Sequence, residues 1–226
     1  MSIRTVLFDL DGTLADTAPD LAYALNRVLK EEGREPLPFD VIRPVVSHGG
    51  IALTRLGFGI KPEHPDFEAL RQRLLEIYSA NIARETKLFP GMNTLLDYIE
   101  QHDMNWGVVT NKPAWLTEPL MQALDLSHRA ACVVSGDSCK NRKPHPEPIL
   151  YGCHLAGSHA EQCVYVGDAE RDIEAGRRAG VHTIVAMFGY IDEKDNPLEW
   201  QADTLIDSPA DIYEWIKDIT NKQSTQ

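Results

Sequence analysis

Asp9 and Asp11 stand two residues apart in Asp9-Leu10-Asp11-Gly12-Thr13, directly after the apolar run Val6-Leu7-Phe8. On an extended segment such a pair points to one side, its members separated by ~7 Å of backbone rise. One tetrahedral group fits between the two carboxyls. An aspartate with an ordinary pKa of about 3.9 is ionised at neutral pH without an activating base. Asp9 could therefore attack phosphorus itself and form an aspartyl-phosphate. Asp11 could protonate the leaving oxygen and then deprotonate water. Gly12 lets the chain turn sharply beside them. Taken alone, the same residues also fit a polar turn after a strand, with Asp-Gly chosen for positive φ. A calcium loop is a poorer match: an EF-hand wants its glycine at position six, and Gly12 stands at the fourth.

A second acidic pair, Asp168 and Asp172, follows the run Cys163-Val164-Tyr165-Val166-Gly167. If a helix begins at Ala169, both lie on one face of its first turn. Helix capping and dipole compensation explain either residue alone. They do not explain why both fall beside Asp9 and Asp11. Three carboxylates (Asp9, Asp11, Asp168) at one edge would repel unless a cation sat among them. Mg²⁺ suits such a place, because it takes hard oxygen ligands and bridges carboxylates to phosphate. A phosphate also needs a protein cation, and Lys140, Arg142 and Lys143 are candidates, with Lys143 set before Pro144 at an expected helix start. Such a run standing alone is ordinarily a solvated loop. Thr110 and Asn111, at a strand end and an expected helix start, form a second candidate anion contact, or a plain N-cap.

These residues need a scaffold that brings them together. Six short apolar runs recur: Val6–Phe8, Trp106–Val109, Cys132–Val134, Cys163–Val166, Thr183–Ala186 and Thr204–Ile206. None alternates with polar residues, so each reads as a strand buried on both faces. Helical stripes lie between most of them, such as Leu95, Leu96 and Ile99, or Leu116, Leu120 and Leu124. Strand alternating with helix implies an α/β fold, a parallel sheet covered on both faces. Ligands of such sheets bind at the carboxyl ends of the strands. From about Asp16 to Thr86 the rhythm breaks. Leu21, Leu25, Val28 and Leu29 form one helical stripe, closed by Gly33, and Phe67, Leu70, Leu74, Ile77 and Tyr78 form another. An insert of about 70 residues is too long for a simple crossover and reads as a small helical module over that sheet edge. In it, His48-Gly49-Gly50 is either a glycine-rich approach to substrate or an interhelix turn.

Composition bounds the rest. The chain has 226 residues, 43% apolar and 25% charged, enough for a sizeable core. Its net charge of −12 disfavours nucleic acid or an anionic membrane as main partner, since both need a basic footprint. No run approaches the ~18 apolar residues of a membrane helix, and no leader pattern opens the sequence. The four cysteines show no C-x-x-C spacing, and the Cys153, His154, His159, Cys163 scatter matches no common zinc pattern. Buried free thiols and a cytoplasmic location are the expectation. The four tryptophans read as packing, and the polar tail Asn221–Gln226 is expected to fray.

Four elements in order, Asp9-x-Asp11-Gly12-Thr13, Thr110-Asn111, Lys143-Pro144 and Gly167-Asp168-x-x-x-Asp172, resemble the haloacid dehalogenase superfamily of phosphatases along the whole chain. The resemblance implies a three-layer Rossmann-like core, residues 1–15 and 86–226, with a C1-type helical cap inserted at 16–85. It implies Asp9 as nucleophile, Asp11 as general acid/base, and Thr110, Asn111 and Lys143 on the phosphate. Asp9, the Asp11 carbonyl and Asp168 would hold Mg²⁺, with Asp172 behind them or bound through water. In the cap, Asp16, His48 and Gly49 are substrate candidates. Lys87–Met92, Trp106–Pro113 and Gly189-Tyr190-Ile191 are similar to the phosphoglycolate and N-acetylmuramic acid 6-phosphate phosphatase groups. A small-molecule phosphate ester is then the partner, and a monomer or homodimer the assembly. Leu14–Ala18 also resembles the sugar-phosphate mutases of the superfamily. A non-catalytic receiver-like domain shares an aspartate, threonine, lysine and Mg²⁺ but lacks a cap.

Overall fold

The computed structural model describes residues 3–223; the end of the tail, where fraying is expected, lies outside them. Every apolar run is a strand: β1 (Thr5–Phe8), β4 (Asn105–Val109), β5 (Cys132–Val134), β6 (Cys163–Gly167), β7 (His182–Ala186) and β8 (Thr204–Ile206). They form one parallel sheet in the order β5-β4-β1-β6-β7-β8. Val6 and Phe8 face a core with Leu95, Leu116 and Ile212, while Leu7 faces the opposite one with Ile149, Cys153 and Ala175. Both faces of β1 are buried, which is why its sequence does not alternate.

The covering helices are α5 (Met92–Gln101), α6 (Ala114–Ala123) and α9 (Pro209–Gln223) on one side, and α7 (Glu147–Leu155) and α8 (Glu170–Ala179) on the other. The order reverses at β1: the chain goes out to β4 and β5, then returns to β6 on the other side. Phe8 pairs with both Val108 and Val166, so β1, β4 and β6 end in register. The residues after them emerge side by side at the switch point, where an open α/β sheet places its ligand.

The long stretch between β1 and α5 is helical, as expected: α1 (Ala18–Glu31), α2 (Phe39–Ile42), a 3₁₀ turn at Arg43–His48, α3 (Gly49–Phe58) and α4 (Phe67–Ala80). Leu21, Leu25, Val28 and Leu29 are buried in it, against Leu53, Leu74 and Tyr78. One detail differs from the sequence reading. The ends of the insert carry two-residue strands, β2 (Ala15–Asp16) and β3 (Lys87–Leu88), paired antiparallel. Two-residue strands leave no periodicity to read.

Asp20, buried in the first turn of α1, holds these ends together. Its carboxylate accepts the backbone N–H groups of Glu85 and Thr86 at 2.9–3.1 Å, and the Thr86 hydroxyl at 2.7 Å. Among the described residues, no helix is long and apolar enough to cross a membrane. The cysteines are free.

Asp20→Ala leaves buried donors unpaired and should lower unfolding stability by about 3 kcal/mol. Asp20→Asn, which keeps one acceptor, should lose less. Urea unfolding followed by circular dichroism reads both.

Candidate active site

Asp9 leaves β1 as its first loop residue, 3% exposed. Its Oδ1 accepts the Leu10 N–H at 2.8 Å and meets Lys143 Nζ at 3.0 Å. Asp168 follows β6, and Asp172 lies in the first turn of α8. That helix begins at Glu170, with Ala169 still extended, rather than at Ala169 as expected. Asp172 makes a reciprocal pair with Ala169: its N–H donates to the Ala169 carbonyl at 2.9 Å, and its Oδ2 accepts the Ala169 N–H at 3.1 Å. This points Oδ1 at Lys143 Nζ, 2.7 Å away, an ion pair whose angle makes no hydrogen bond. Gly12 has φ +85° and packs on Asp168; a Cβ there would overlap the carboxylate.

Lys143 reaches the cluster from the loop after β5, four residues ahead of α7 rather than at its start. Its side chain is wholly buried. Nζ donates to the Tyr165 hydroxyl at 2.6 Å, and that hydroxyl donates to the Val109 carbonyl at 2.6 Å. Asn111 fixes the lysine's backbone: its Oδ1 accepts the Lys143 N–H and its Nδ2 donates to the Lys143 carbonyl, both at 3.0 Å. Thr110 is buried beside it, its hydroxyl accepting the Lys112 N–H at 3.2 Å. Neither is at a helix start, since α6 begins only at Ala114.

Charge explains the titration of the cluster. Burial opposes the charge of Asp9, but Lys143 and Arg171 outweigh it and hold the carboxyl below its usual range. Burial, reinforced by the charges of Asp9 and Asp172, pushes Asp168 up to about 7. Asp172 is likewise raised by burial, against the pull of Lys143. The ligand oxygens of Asp9, Asp168 and Asp172 lie within 4.8 Å of one another. Three buried carboxylates, two of them pushed toward the neutral form, are a donor set that a hard divalent cation fits. The Asp11 carboxylate stands apart from this group. Its Oδ1 accepts the Thr17 hydroxyl at 2.6 Å and Lys112 Nζ at 2.8 Å.

A cavity of about 520 Å³ opens in front of these groups, between sheet edge and insert. Asp9, Asp11, Thr110 and Asn111 line its floor; His48, Gly49, Arg71 and Tyr78 come from the insert; Trp115, Arg142 and Arg171 complete it. Asp16 does not line it. It lies in the β2–β3 ribbon, accepting the Tyr190 hydroxyl at 2.7 Å. Lys140 is exposed, and Arg142 donates to the Gly136 carbonyl at 2.7 Å.

Several residues at the site were not singled out from sequence. Buried Lys112 bridges Asp11 to the Tyr78 hydroxyl of α4 at 3.0 Å; both partners raise its pKa against the effect of burial. Ser47 donates to Asp168 Oδ2 at 2.8 Å, and Arg171 donates to the Ser47 carbonyl at 2.7 Å. Tyr165 had a signal: a tyrosine inside a run buried on both faces needs a partner for its hydroxyl.

A model of the haloacid dehalogenase-like hydrolase family matches residues 6–186. An N-acetylmuramic acid 6-phosphate phosphatase of Pseudomonas putida is 44% identical over 212 residues, 94% of this chain and 95% of its own. A phosphoglycolate phosphatase of Xanthomonas campestris pv. campestris is 42% identical, over 93% and 95%. The crystal structure of a predicted phosphoglycolate phosphatase from Haemophilus somnus superposes with a TM-score of 0.84 at 26% identity, covering 95% and 98%.

The raised Asp168 carboxyl has a signed consequence for the metal-free protein. Between about 3.8 and 7 the folded chain holds a proton there that the unfolded chain has lost, so this contribution to stability fades as pH rises. Asp168→Asn carries no such proton. In EDTA the variant should melt above the parent, and its advantage should be larger at pH 8 than at pH 5 by roughly 5 °C or more. Added Mg²⁺ should raise the parent's Tm at pH 8 and leave the variant's unchanged. Differential scanning fluorimetry at the two pH values checks both.

Proposed function

The chain belongs to the haloacid dehalogenase-like hydrolase family, and we propose that this phosphomonoesterase cleaves the phosphate ester of a sugar-sized organic acid through an aspartyl-phosphate on Asp9. The observation that carries the proposal is the buried group of Asp9, Asp168, Asp172 and Lys143 at the floor of a large cavity. Asp9 is ionised and its Oδ1 is occupied by Leu10 and Lys143, which leaves Oδ2 to attack phosphorus. As the bond from Asp9 to phosphorus forms, the ester P–O bond breaks and Asp11 gives its proton to the leaving oxygen. Asp11 then takes a proton from water, whose oxygen attacks phosphorus, and inorganic phosphate leaves Asp9. Thr110 and the backbone N–H of Asn111 bind the phosphoryl oxygens. Asp9, Asp168 and the Asp11 carbonyl would hold Mg²⁺, with Asp172 behind them. The cation supplies positive charge to the equatorial oxygens during transfer. Lys143 balances the carboxylates and adds charge at the same place.

Residues 16–85 form a cap that excludes water and contacts the organic part of the substrate through His48 and Gly49. Asp16 joins the β2–β3 ribbon to the core by accepting the Tyr190 hydroxyl. Cavity volume supports a larger substrate. About 520 Å³ is room for roughly 17 waters at ~30 Å³ each, and a phosphorylated two-carbon acid would leave most of it wet. A phosphorylated sugar acid fills it against Leu21, Ile51, Leu75 and Trp115. N-Acetylmuramic acid 6-phosphate, named for the P. putida relative, is of that size.

Phosphate release with Mg²⁺ should favour N-acetylmuramic acid 6-phosphate over 2-phosphoglycolate by at least about tenfold in kcat/KM, equivalent to ~1.4 kcal/mol. Equal or reversed preference defeats the substrate assignment. Asp9→Asn should abolish turnover of both esters with the circular dichroism spectrum unchanged; turnover at the parent rate defeats the nucleophile assignment.

Lys112 fixes the Asp11 carboxylate at the cavity wall. Lys112→Met should lower kcat on an alkyl phosphate by about 10²-fold, the low end of general acid–base contributions. p-Nitrophenyl phosphate, whose leaving group needs little protonation, should lose much less in the same assay.

A further inference from the structure

A side chain of the cap reaches Asp168. Ser47 lies in the 3₁₀ turn Arg43–His48, and its hydroxyl donates to Asp168 Oδ2 at 2.8 Å. The same oxygen accepts the backbone N–H of Tyr190, also at 2.8 Å, while Oδ1 receives only the Thr13 hydroxyl at 3.3 Å. Asp168 is thus held by core donors and one cap donor. The turn carrying Ser47 is clamped to the core at both ends. Arg171 Nη2 donates to the Ser47 carbonyl at 2.7 Å. Arg43 donates to the carbonyls of Gly189 at 3.0 Å and Phe188 at 3.2 Å, its guanidinium 4.9 Å from the Tyr190 ring centroid. Arg171 and Tyr190 therefore each grip both the cap turn and the acidic cluster's surroundings.

We propose that Ser47 is a positioning residue for the cation site, its hydroxyl orienting the Asp168 carboxylate so that cap seating and Mg²⁺ binding favour each other. The inference rests on Asp168 being a cation ligand, as set out above. A hydroxyl that donates to one oxygen of a ligating carboxylate fixes its rotation and stabilises its charged form. When the cap lifts, Ser47 leaves with it, and Asp168 keeps only the donors of the core. The seated cap then presents a better-made cation site than the lifted one. Linkage makes the effect reciprocal: the factor by which cap seating tightens Mg²⁺ is the factor by which Mg²⁺ favours the seated cap. The cation is thereby a ligand of the closed enzyme, besides its part in the chemistry.

Isothermal titration of the metal-free protein with Mg²⁺ and no substrate tests this, with hydrogen exchange over residues 39–58 measured alongside. Ser47→Ala should weaken Mg²⁺ binding about tenfold, in the range found when partners behind metal ligands are removed. Ser47→Thr, which keeps the hydroxyl, should restore affinity. Mg²⁺ should slow exchange across 39–58 in the parent and not in Ser47→Ala. An unchanged Kd in Ser47→Ala, with binding abolished in Asp168→Asn, overturns the inference and leaves the cation site standing. Parent-like Mg²⁺ affinity in Asp168→Asn overturns both.

Discussion

The ammonium of Lys143 is the charge on which the site depends. It meets Asp9 at 3.0 Å and Asp172 at 2.7 Å with its own side chain fully out of solvent. A buried carboxylate without a counter-charge costs several kcal/mol and ordinarily takes up a proton instead. Asp168 shows that outcome, pushed to about 7, and burial raises Asp172 even with Lys143 beside it, whereas Asp9, attracted by Lys143 and Arg171 together, stays below its usual range. The two cations thus leave Asp9 as the carboxyl held in its charged form among neighbours that burial pushes toward the neutral one. Tyr165 beneath Lys143 and the Asn111 clamp on its backbone exist to keep that nitrogen in place.

Sheet geometry delivers these groups. Parallel strands in register end at one edge, so Asp9, Thr110 and Asp168 are neighbours although far apart along the chain. The helical insert supplies the opposite wall, and its contacts with the core include Tyr78 to Lys112 and Ser47 to Asp168. Each links a cap residue to an acidic group of the core, Asp11 in one case and Asp168 in the other. The insert thus contacts Asp11, through Lys112, and Asp168 separately.

Much of this was legible in the amino acids. Strands buried on both faces write themselves as unbroken apolar runs, and all six were readable. Acidic and basic residues just beyond those runs marked the ligand edge. What the chain does not display is convergence between a side chain on one element and a partner on another. Lys112 reads as one more loop lysine until Asp11 and Tyr78 close around it. Ser47 is an unremarkable serine until the turn holding it meets Asp168. Asp16, a substrate candidate by resemblance alone, is turned toward Tyr190 by the β2–β3 pairing. Two-residue strands lie below the length at which alternation can be seen.

The β2–β3 ribbon closes the insert at its base. Asp16 and Lys87 are direct partners across it, so the insert departs and returns through points one strand spacing apart. Asp20 ties the same two ends together through Thr86. A chimaera joined at this ribbon would therefore exchange the insert as one module without cutting the six-stranded sheet.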